Sequence, residues 1–424
     1  MTSRIKRGIR VRAGASIGAL ALALLASPAL AQQTASNDPA PAPVPNGQAA
    51  GDPANGGQAA ATDQPVADSQ APDIIVTGTA GGRGVNRMSA AFAVTNISSG
   101  DLLKSAPKSS AEVLTLVPGV WVESSGGVAG ANITVRGLPS AGDAPFVSYQ
   151  LQGVPVYPAS TLSFLENSSM FREDETIGNI QALTGGPGAT FSNGQPGLTV
   201  NHILKEGGET TEGVIRGSFT DYGTKRADVV LSGKLADDLY YMVGGYATTS
   251  QGLRSTQFDS EVGKQFTVNI TKRFDDGKLN LYARYTDDHG AWYLPIPINV
   301  PGIDLGTFTE LGNYSRFATL ATGPGQTRTY DLADGRGFKG TIAGANLEKE
   351  FGDGWKINAR VAYTEGDANT LGLVNDGAAI TVASLAASKG TAVTTADGRT
   401  LAGTGYVENW GQWVVFKHIR ALTG

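Results

Sequence analysis

After Gly213 the chain alternates apolar and polar residues with a period of two, the pattern of β-strands with one apolar face. Phe266, Val268, Ile270 and Phe274 fall on one face of a strand whose other face carries Thr267, Asn269, Thr271 and Arg273. The next run sets Leu279, Leu281, Ala283 and Tyr285 against Lys278, Asn280, Tyr282, Arg284 and Thr286, and Asp275-Asp276-Gly277 supplies the hairpin turn between them. The module recurs as Leu347-Glu348-Lys349-Glu350-Phe351, a turn at Gly352-Asp353-Gly354, then Ile357, Ala359, Val361 and Tyr363 alternating with Lys356, Asn358, Arg360 and Thr364. An earlier copy places Val229, Leu231 and Leu235 opposite Asp228, Ser232 and Lys234, and turns at Ala236-Asp237-Asp238. These repeats predict strands near 213–220, 225–236, 238–248, 264–274, 278–287, 339–351 and 355–364, with an eighth near 412–420.

The connections sort by side. Every second one is a tight turn, whereas the opposite ones run over 249–263, 287–338 and from 365 onward. A transmembrane barrel has short periplasmic turns and long extracellular loops; a soluble β-sandwich, the other architecture for such strands, has no reason to sort them. Phe274 and Phe351 beside the tight turns, and Tyr285 and Tyr363 near the loop ends, stand where the two aromatic girdles of a barrel belong. Lys272 and Lys349 share the apolar face with those phenylalanines, a position tolerated near an interface and costly at mid-membrane.

Residues 85–206 have a different texture, that of a mixed α+β domain. Ser109-Ser110-Ala111-Glu112 opens a helix predicted to run to Val120, with Ser109 or Ser110 as N-cap, Val113, Leu114 and Val117 on one face, and Pro118-Gly119 as its stop. Strands follow at Trp121-Val122, Ile133–Val135 and Phe146–Leu151, then at Ile180–Leu183 and Leu198–Ile203. Upstream, residues 32–72 hold almost no large apolar side chain and cannot bury enough surface to offset chain entropy, so they read as disordered. Residues 1–31 read as an export signal: Arg4, Lys6, Arg7, Arg10 and Arg12 precede an apolar stretch from Ala15 to Ala26, and Ala29-Leu30-Ala31 supplies the small-x-small cleavage site.

Composition narrows the class. The 424 residues contain 57 glycines, no cysteine and 17% charged residues, which favours turns and strands without disulfides. A net charge of -5 gives no basis for nucleic-acid binding. Downstream of the leader no apolar run reaches the roughly 18 residues of a spanning helix. His202, His289 and His418 are scattered without metal-ligand spacing, and Gly185-Gly186-Pro187-Gly188 lacks the Lys-Ser/Thr of a phosphate loop, so no enzyme, metal or cofactor site is predicted. Asp287-Asp288-His289 reads as a solvated loop tip. Trp292, Tyr293 and Leu294-Pro295-Ile296-Pro297 in the long loop either touch a ligand or pack the loop.

Between the tail and the α+β domain, Asp73-Ile74-Ile75-Val76-Thr77-Gly78-Thr79 is a short β-prone run without a local partner. It is either the first strand of the next domain or an edge offered to another protein's sheet. Its surroundings resemble the TonB-dependent outer-membrane receptors. Asp73–Thr79 is similar to that family's TonB box, and residues 85–206 to its plug domain. The plug resemblance is carried by Ala111–Leu114 through Val117-Pro118-Gly119-Val120, Ile133-Thr134-Val135-Arg136-Gly137, Gln152-Gly153-Val154-Pro155-Val156-Tyr157, Gly185–Phe191 and Gln195–Asn201. The chain departs from the family where Asp-Gly is Gln152-Gly153, where an Arg before Gly-Pro is Gly185, and where a Gly after Pro-Gly is Leu198.

The resemblance implies a mainly β protein: an α+β plug followed by an antiparallel transmembrane β-barrel over 207–424, incomplete at about eight strands where a plugged barrel needs about 22. It implies that Asp73, Ile74, Ile75, Val76 and Thr77 bind the periplasmic domain of TonB by strand addition. It further implies that Arg136, Gly137, Gly153, Gly186, Pro187 and Gly197 serve plug structure and gating, with Arg136 ion-paired to acids on the barrel wall. The implied function is active uptake of a scarce ligand, such as an iron–siderophore complex or a glycan-like solute, across the bacterial outer membrane. The shortage of strands and the ending at Gly424 read as truncation, which favours a non-transporting fragment or relic with a TonB-binding plug.

Overall fold

The structure, a computed structural model, describes residues 75–76, 85–86 and 93–424, apart from 125, 130, 139–145, 157–166, 171, 186–196, 295, 299, 303–308, 396 and 409. The first strands, β1 (Ile75–Val76) and β2 (Val85–Asn86), pair antiparallel. β3 (Ala93–Ser98) then runs into α1 (Ser99–Ser105), a helix that the hydrophobic pattern does not announce. Its signal is a capping box: the Ser98 hydroxyl accepts from the Asp101 N–H while the Asp101 carboxylate accepts from the Ser98 N–H. The helix predicted over 109–120 is only a 3-10 turn, Glu112–Leu116, with Ser109 Oγ accepting from the Glu112 N–H. Val113, Leu114 and Val117 are its buried face, as their spacing predicts.

The inner α+β domain continues with β4 (Val120–Glu123), β5 (Asn132–Val135), β6 (Val147–Leu151), β7 (Val154–Pro155), β8 (Ile177–Thr184) and β9 (Leu198–Leu204). β4 and β5 form a hairpin, and the others join β3 in a mixed sheet of order β3-β8-β9-β6-β7, with β6 and β9 parallel. Every residue of β6 is buried, and β8 and β9 are nearly so, because one face of this sheet meets the domain's own core and the other meets a wall.

That wall is an antiparallel meander of β10 (Glu212–Phe219), β11 (Lys225–Ala236), β12 (Leu239–Ser250), β13 (Glu261–Phe274) and β14 (Gly277–Gly290). A long loop carrying the hairpin β15 (Phe317–Gly323) and β16 (Gln326–Asp331) leads to β17 (Arg336–Phe351) and β18 (Trp355–Asn375). A second, carrying β19 (Ile380–Thr381), α2 (Val382–Lys389) and β20 (Tyr406–Val407), leads to β21 (Trp410–Thr423). The eight wall strands lie in sequence order, and β10 and β21 are open edges that do not pair with each other. The hairpin register is the one the alternation predicts: Ile270 faces Leu281 and Phe274 faces Gly277 across the Asp275-Asp276 turn.

The strands run further towards the long loops than the alternation predicts, with β14 reaching Gly290 and β18 Asn375. Asp287-Asp288-His289 is therefore not a loop tip: it lies inside β14, where Asp288 is 5% exposed. Hydrophobic alternation stops at these residues, but the backbone ladder continues because β13 and β17 still supply partners.

The wall is apolar on the outside and mostly polar on the inside, with Val230, Met242, Phe338 and Ile342 as buried apolar exceptions. Phe266 is 54% and Leu281 50% exposed, whereas Thr267 is 0% and Asn269 1% exposed. Outward Phe274, Phe351 and Trp355 mark the tight-turn end, and Tyr285 and Tyr363 the loop end. Lys272 and Lys349 bend their ammonium groups to the turns, 2.9 Å from the Asp237 carbonyl and 2.8 Å from Asp276. This is a sheet whose outer face meets lipid.

Candidate functional site

Strand alternation aims Arg216 of β10, Arg226 and Asp228 of β11, Tyr246 of β12, Gln265 of β13, and Arg284 and Asp288 of β14 at the inner domain. They converge on Arg172-Glu173-Asp174-Glu175, the segment that leads into β8. Arg172 donates to Asp288 at 2.5 Å, and the Tyr246 hydroxyl donates to the other oxygen of the same carboxylate. Gln265 Nε2 donates to the Arg172 carbonyl at 2.9 Å and to Asp174 at 2.8 Å. Arg284 lies 3.7 Å from Asp174 and donates to Thr176 Oγ1 at 2.9 Å and Thr267 Oγ1 at 3.0 Å. Arg226, paired with Asp228 at 2.7 Å, also donates to the Glu173 carbonyl at 2.6 Å. Glu175 is held by Lys205 at 3.3 Å and by Arg216.

Burial opposes the Arg172 charge, but Asp288 and the acidic groups around it more than offset this, so its pKa stands above the ordinary guanidinium value. Removing one member of such a buried pair costs more than the pair contributes, because an uncompensated charge remains. Further down, Glu206 meets Lys278 at 2.8 Å, Asn280 at 3.2 Å and Arg273 at 3.7 Å. Wall side chains also satisfy inner-domain carbonyls: Asn346 donates to Gln152 at 2.9 Å, Thr364 to Val156 at 3.2 Å and Thr423 to Pro155 at 3.2 Å. The contact is mixed, since these polar bonds lie beside buried wall residues Val230, Met242, Phe338, Ile342 and Ile419, which pack into the plug's apolar core.

The sequence-predicted residues lie elsewhere. Arg136, in the left-handed region at φ 47, donates to Thr184 Oγ1 at 2.8 Å and lies across Gly119 and Gly185. Among the described residues its bond is to Thr184 rather than to a wall acid, so from the β5 turn it ties the inner domain to itself. Gly137 follows it at φ 75. Gln152 and Gly153, at φ 56 and 80, form the two-residue turn between β6 and β7, where a Cβ on Gly153 would sit 3.0 Å from Arg360 of β18. A Cβ on Gly197 would lie 2.4 Å from the Phe146 carbonyl, so only glycine lets the two backbones approach. Gly186 and Pro187 lie outside the described residues, as do Asp73, Ile74 and Thr77.

Ile75 and Val76 are not partnerless: they pair with Asn86 and Val85, a two-rung ladder that still leaves β1 one free edge. In the long loop, Trp292 stacks under the Arg336 guanidinium at 4.7 Å. Tyr293 is buried against Ser260, and its N–H reaches the Gly126 carbonyl at 3.1 Å, so both aromatics pack the loop. The charged segment 172–175 escapes a hydrophobic reading. Its one signal is four consecutive charged residues in a sparsely charged domain.

Residues 86–199 match the family described as TonB-dependent Receptor Plug Domain. The pesticin receptor of Yersinia enterocolitica serotype O:8 / biotype 1B is 26% identical over 199 residues, 46% of this chain and 25% of that protein. The pesticin receptor of Yersinia pestis is 23% identical over the same length and shares. The chain therefore spans about a quarter of the length of the curated relatives it matches. The structure of the pyoverdine outer membrane receptor of Pseudomonas aeruginosa PAO1 bound to pyoverdine superposes with a TM-score of 0.52 at 14% identity, covering 73% of this chain and 42% of that one, a likeness of fold. The inner domain is thus a plug domain of the TonB-dependent receptor type, and the chain is similar in sequence and in fold to TonB-dependent outer-membrane receptors.

Proposed function

We propose that the protein acts in TonB-dependent uptake of a scarce, large solute, of the iron–siderophore class or a glycan-like compound, across the bacterial outer membrane. The observation that carries this reading is the plug's attachment: ion pairs and hydrogen bonds from Arg216, Arg226, Gln265, Arg284 and Asp288 hold it to the inner wall. Water or new partners can take over these polar contacts when a pull on the N-terminal side shifts the plug. In this reading residues 1–31 are removed near Ala31 on export. Residues 73–77 then add to a TonB strand through the free edge of β1, which is the mode of an edge offered for augmentation. The pyoverdine-bound receptor of similar fold supports the siderophore class.

A second reading is a TonB-binding plug module that moves nothing, which rests on the plug domain and the edge of β1 alone. Two measurements decide. The full chain in detergent micelles is titrated with the periplasmic domain of TonB, and Ile75→Pro should abolish binding. Cells carrying the chain as their only receptor are then fed a panel of iron-loaded siderophores, pyoverdine included. Binding with uptake supports the first reading, binding without uptake the second, and no binding overturns both.

A further inference from the structure

A cavity of about 340 Å3 lies between α1 and the loop ends of β10, β11 and β13. Small-molecule sites occupy roughly 300–1,000 Å3. Leu102 and Leu103 of α1, with Val128 and Leu253, give the cavity an apolar side, and Ser218 and Thr248 add hydroxyls. Leu103 is 55% and Leu253 42% exposed, so part of this apolar lining is free to meet a ligand. Most of the charges around the cavity are committed: Arg172 to Asp288, Arg216 to Glu175, Arg226 to Asp228, and Asp174 to Arg284 and Gln265. Lys108 places its ammonium 5.0 Å over the Tyr222 ring.

Glu261, the first residue of β13, is the exception. It is 6% exposed and lines the cavity, yet among the described residues its carboxylate makes no hydrogen bond and no ion pair. The alternation of β13 fixes its placement, since Glu261 shares the buried inward face with Gln265 and Thr267. Arg172 and Lys108 attract it across space without touching it. A carboxylate taken out of water is costly unless a cation or hydrogen-bond donors meet it. The protein supplies neither, so the cavity holds one anionic group with its partner still to come.

We propose that this cavity is a binding site for an organic ammonium ion on an apolar body, with the charged group bonded to Glu261 and the body lying along Leu102, Leu103, Val128 and Leu253. An ammonium carries three donors and no acceptor, which suits one carboxylate beside the hydroxyl oxygens of Ser218 and Thr248. A bare divalent metal ion fits less well, because it takes several oxygen ligands. Among the described residues no group of three His, Asp or Glu side chains is placed to hold one. The site is separate from the proposed uptake and from TonB, and it stands whether or not the chain moves a solute.

The test compares 2-phenylethylamine with its neutral counterpart 2-phenylethanol, titrated into the full chain in maltoside micelles at neutral pH. The wild-type chain should bind the amine about tenfold or more tightly than the alcohol, the gain of a hydrogen bond to a charged group. The alcohol enters micelles at least as readily, so partition into detergent does not mimic this preference. Glu261→Gln keeps the side chain's size, removes its charge and should erase the preference. Equal binding of the two probes, no saturable binding of the amine, or a preference that survives in Glu261→Gln overturns the proposal. If Glu261→Gln does not fold, methyl-labelled leucine in the wild-type chain decides. The ring protons of 2-phenylethylamine should show contacts to the methyls of Leu102 and Leu253, assigned by the signals lost in Leu102→Ile and Leu253→Ile. Contacts to neither leucine overturn the site.

Discussion

The plug sheet and the barrel wall are built from the same alternating strands, yet they bury opposite residues. In the plug, Leu198, Val200 and Leu204 point into a packed core, and Thr199 and Asn201 on the opposite face are buried as well, because the sheet is covered on both faces. In the wall, Phe266, Leu281 and Ile357 stay exposed while Thr267, Asn269, Thr271 and Asn280 are buried. The difference teaches that the surroundings, not the strand, set the meaning of the pattern: the outward face of the wall is apolar, and the face that meets the plug is largely polar with apolar contacts at Val230, Met242, Phe338 and Ile342. The plug is consequently held to the wall by charges and hydrogen bonds together with a patch of apolar packing.

The largest effect should come from the charged seam between the two. Arg172→Ala leaves Asp288 buried without its partner and should destabilise plug docking by about 3–5 kcal/mol. Denaturant unfolding of the full chain in micelles measures it, and Arg172→Ala/Asp288→Ala should cost less than the sum of the single changes. A single-variant loss below about 1 kcal/mol would mean that the seam behaves as a solvated surface pair.

The next effect contrasts the two apolar sets directly. Leu198→Ala opens a cavity in the plug core and should cost about 2–5 kcal/mol in micelles and bilayers alike. Leu281→Arg places a charge on the lipid face and should cost about 2–4 kcal/mol near mid-membrane. That cost should appear in bilayers and shrink where detergent reshapes around the site. If refolding measurements show Leu281→Arg to be equally harmful in both media, the outward face packs on protein and the lipid assignment is wrong.

The smallest effect lies at the N-terminus of α1. Ser98→Ala removes the cap and should cost about 1 kcal/mol of helix stability. The Ser98 hydroxyl and N–H hold the Asp101 carboxyl below its ordinary value, so this contribution is present above about pH 3.9 and is lost as pH falls towards the depressed value. Protection of the α1 amides should weaken on acidification in the wild-type chain and show a smaller step in Ser98→Ala, which keeps only the backbone N–H bond to Asp101.

Much of this protein is readable in its sequence, and the limits have physical causes. The wall strands, their tight turns and the eighth strand near Trp410–Thr423 follow from a period-two pattern, because a strand with one face in lipid and one on polar groups must alternate. The plug strands β6, β8 and β9 are found from β-prone runs, but α1 is missed because it buries no residue and carries no apolar stripe. The loop-tip reading of Asp287-Asp288-His289 fails since charge normally marks solvent, and here Arg172 and Tyr246 reach Asp288 from elements far away in sequence.

The sequence by itself determined a membrane wall of alternating strands, an α+β plug and a β-prone segment ahead of it, since each rests on local spacing. Only the tertiary structure decided which charges hold the plug. Arg136, within the plug motif, clamps the plug to itself through Thr184, whereas Arg172, Glu173, Asp174 and Glu175 carry the contact to the wall. The reason is that an ion pair is defined by two residues meeting in space. Arg172 and Asp288 stand 116 positions apart, and no periodicity along the chain records that they touch.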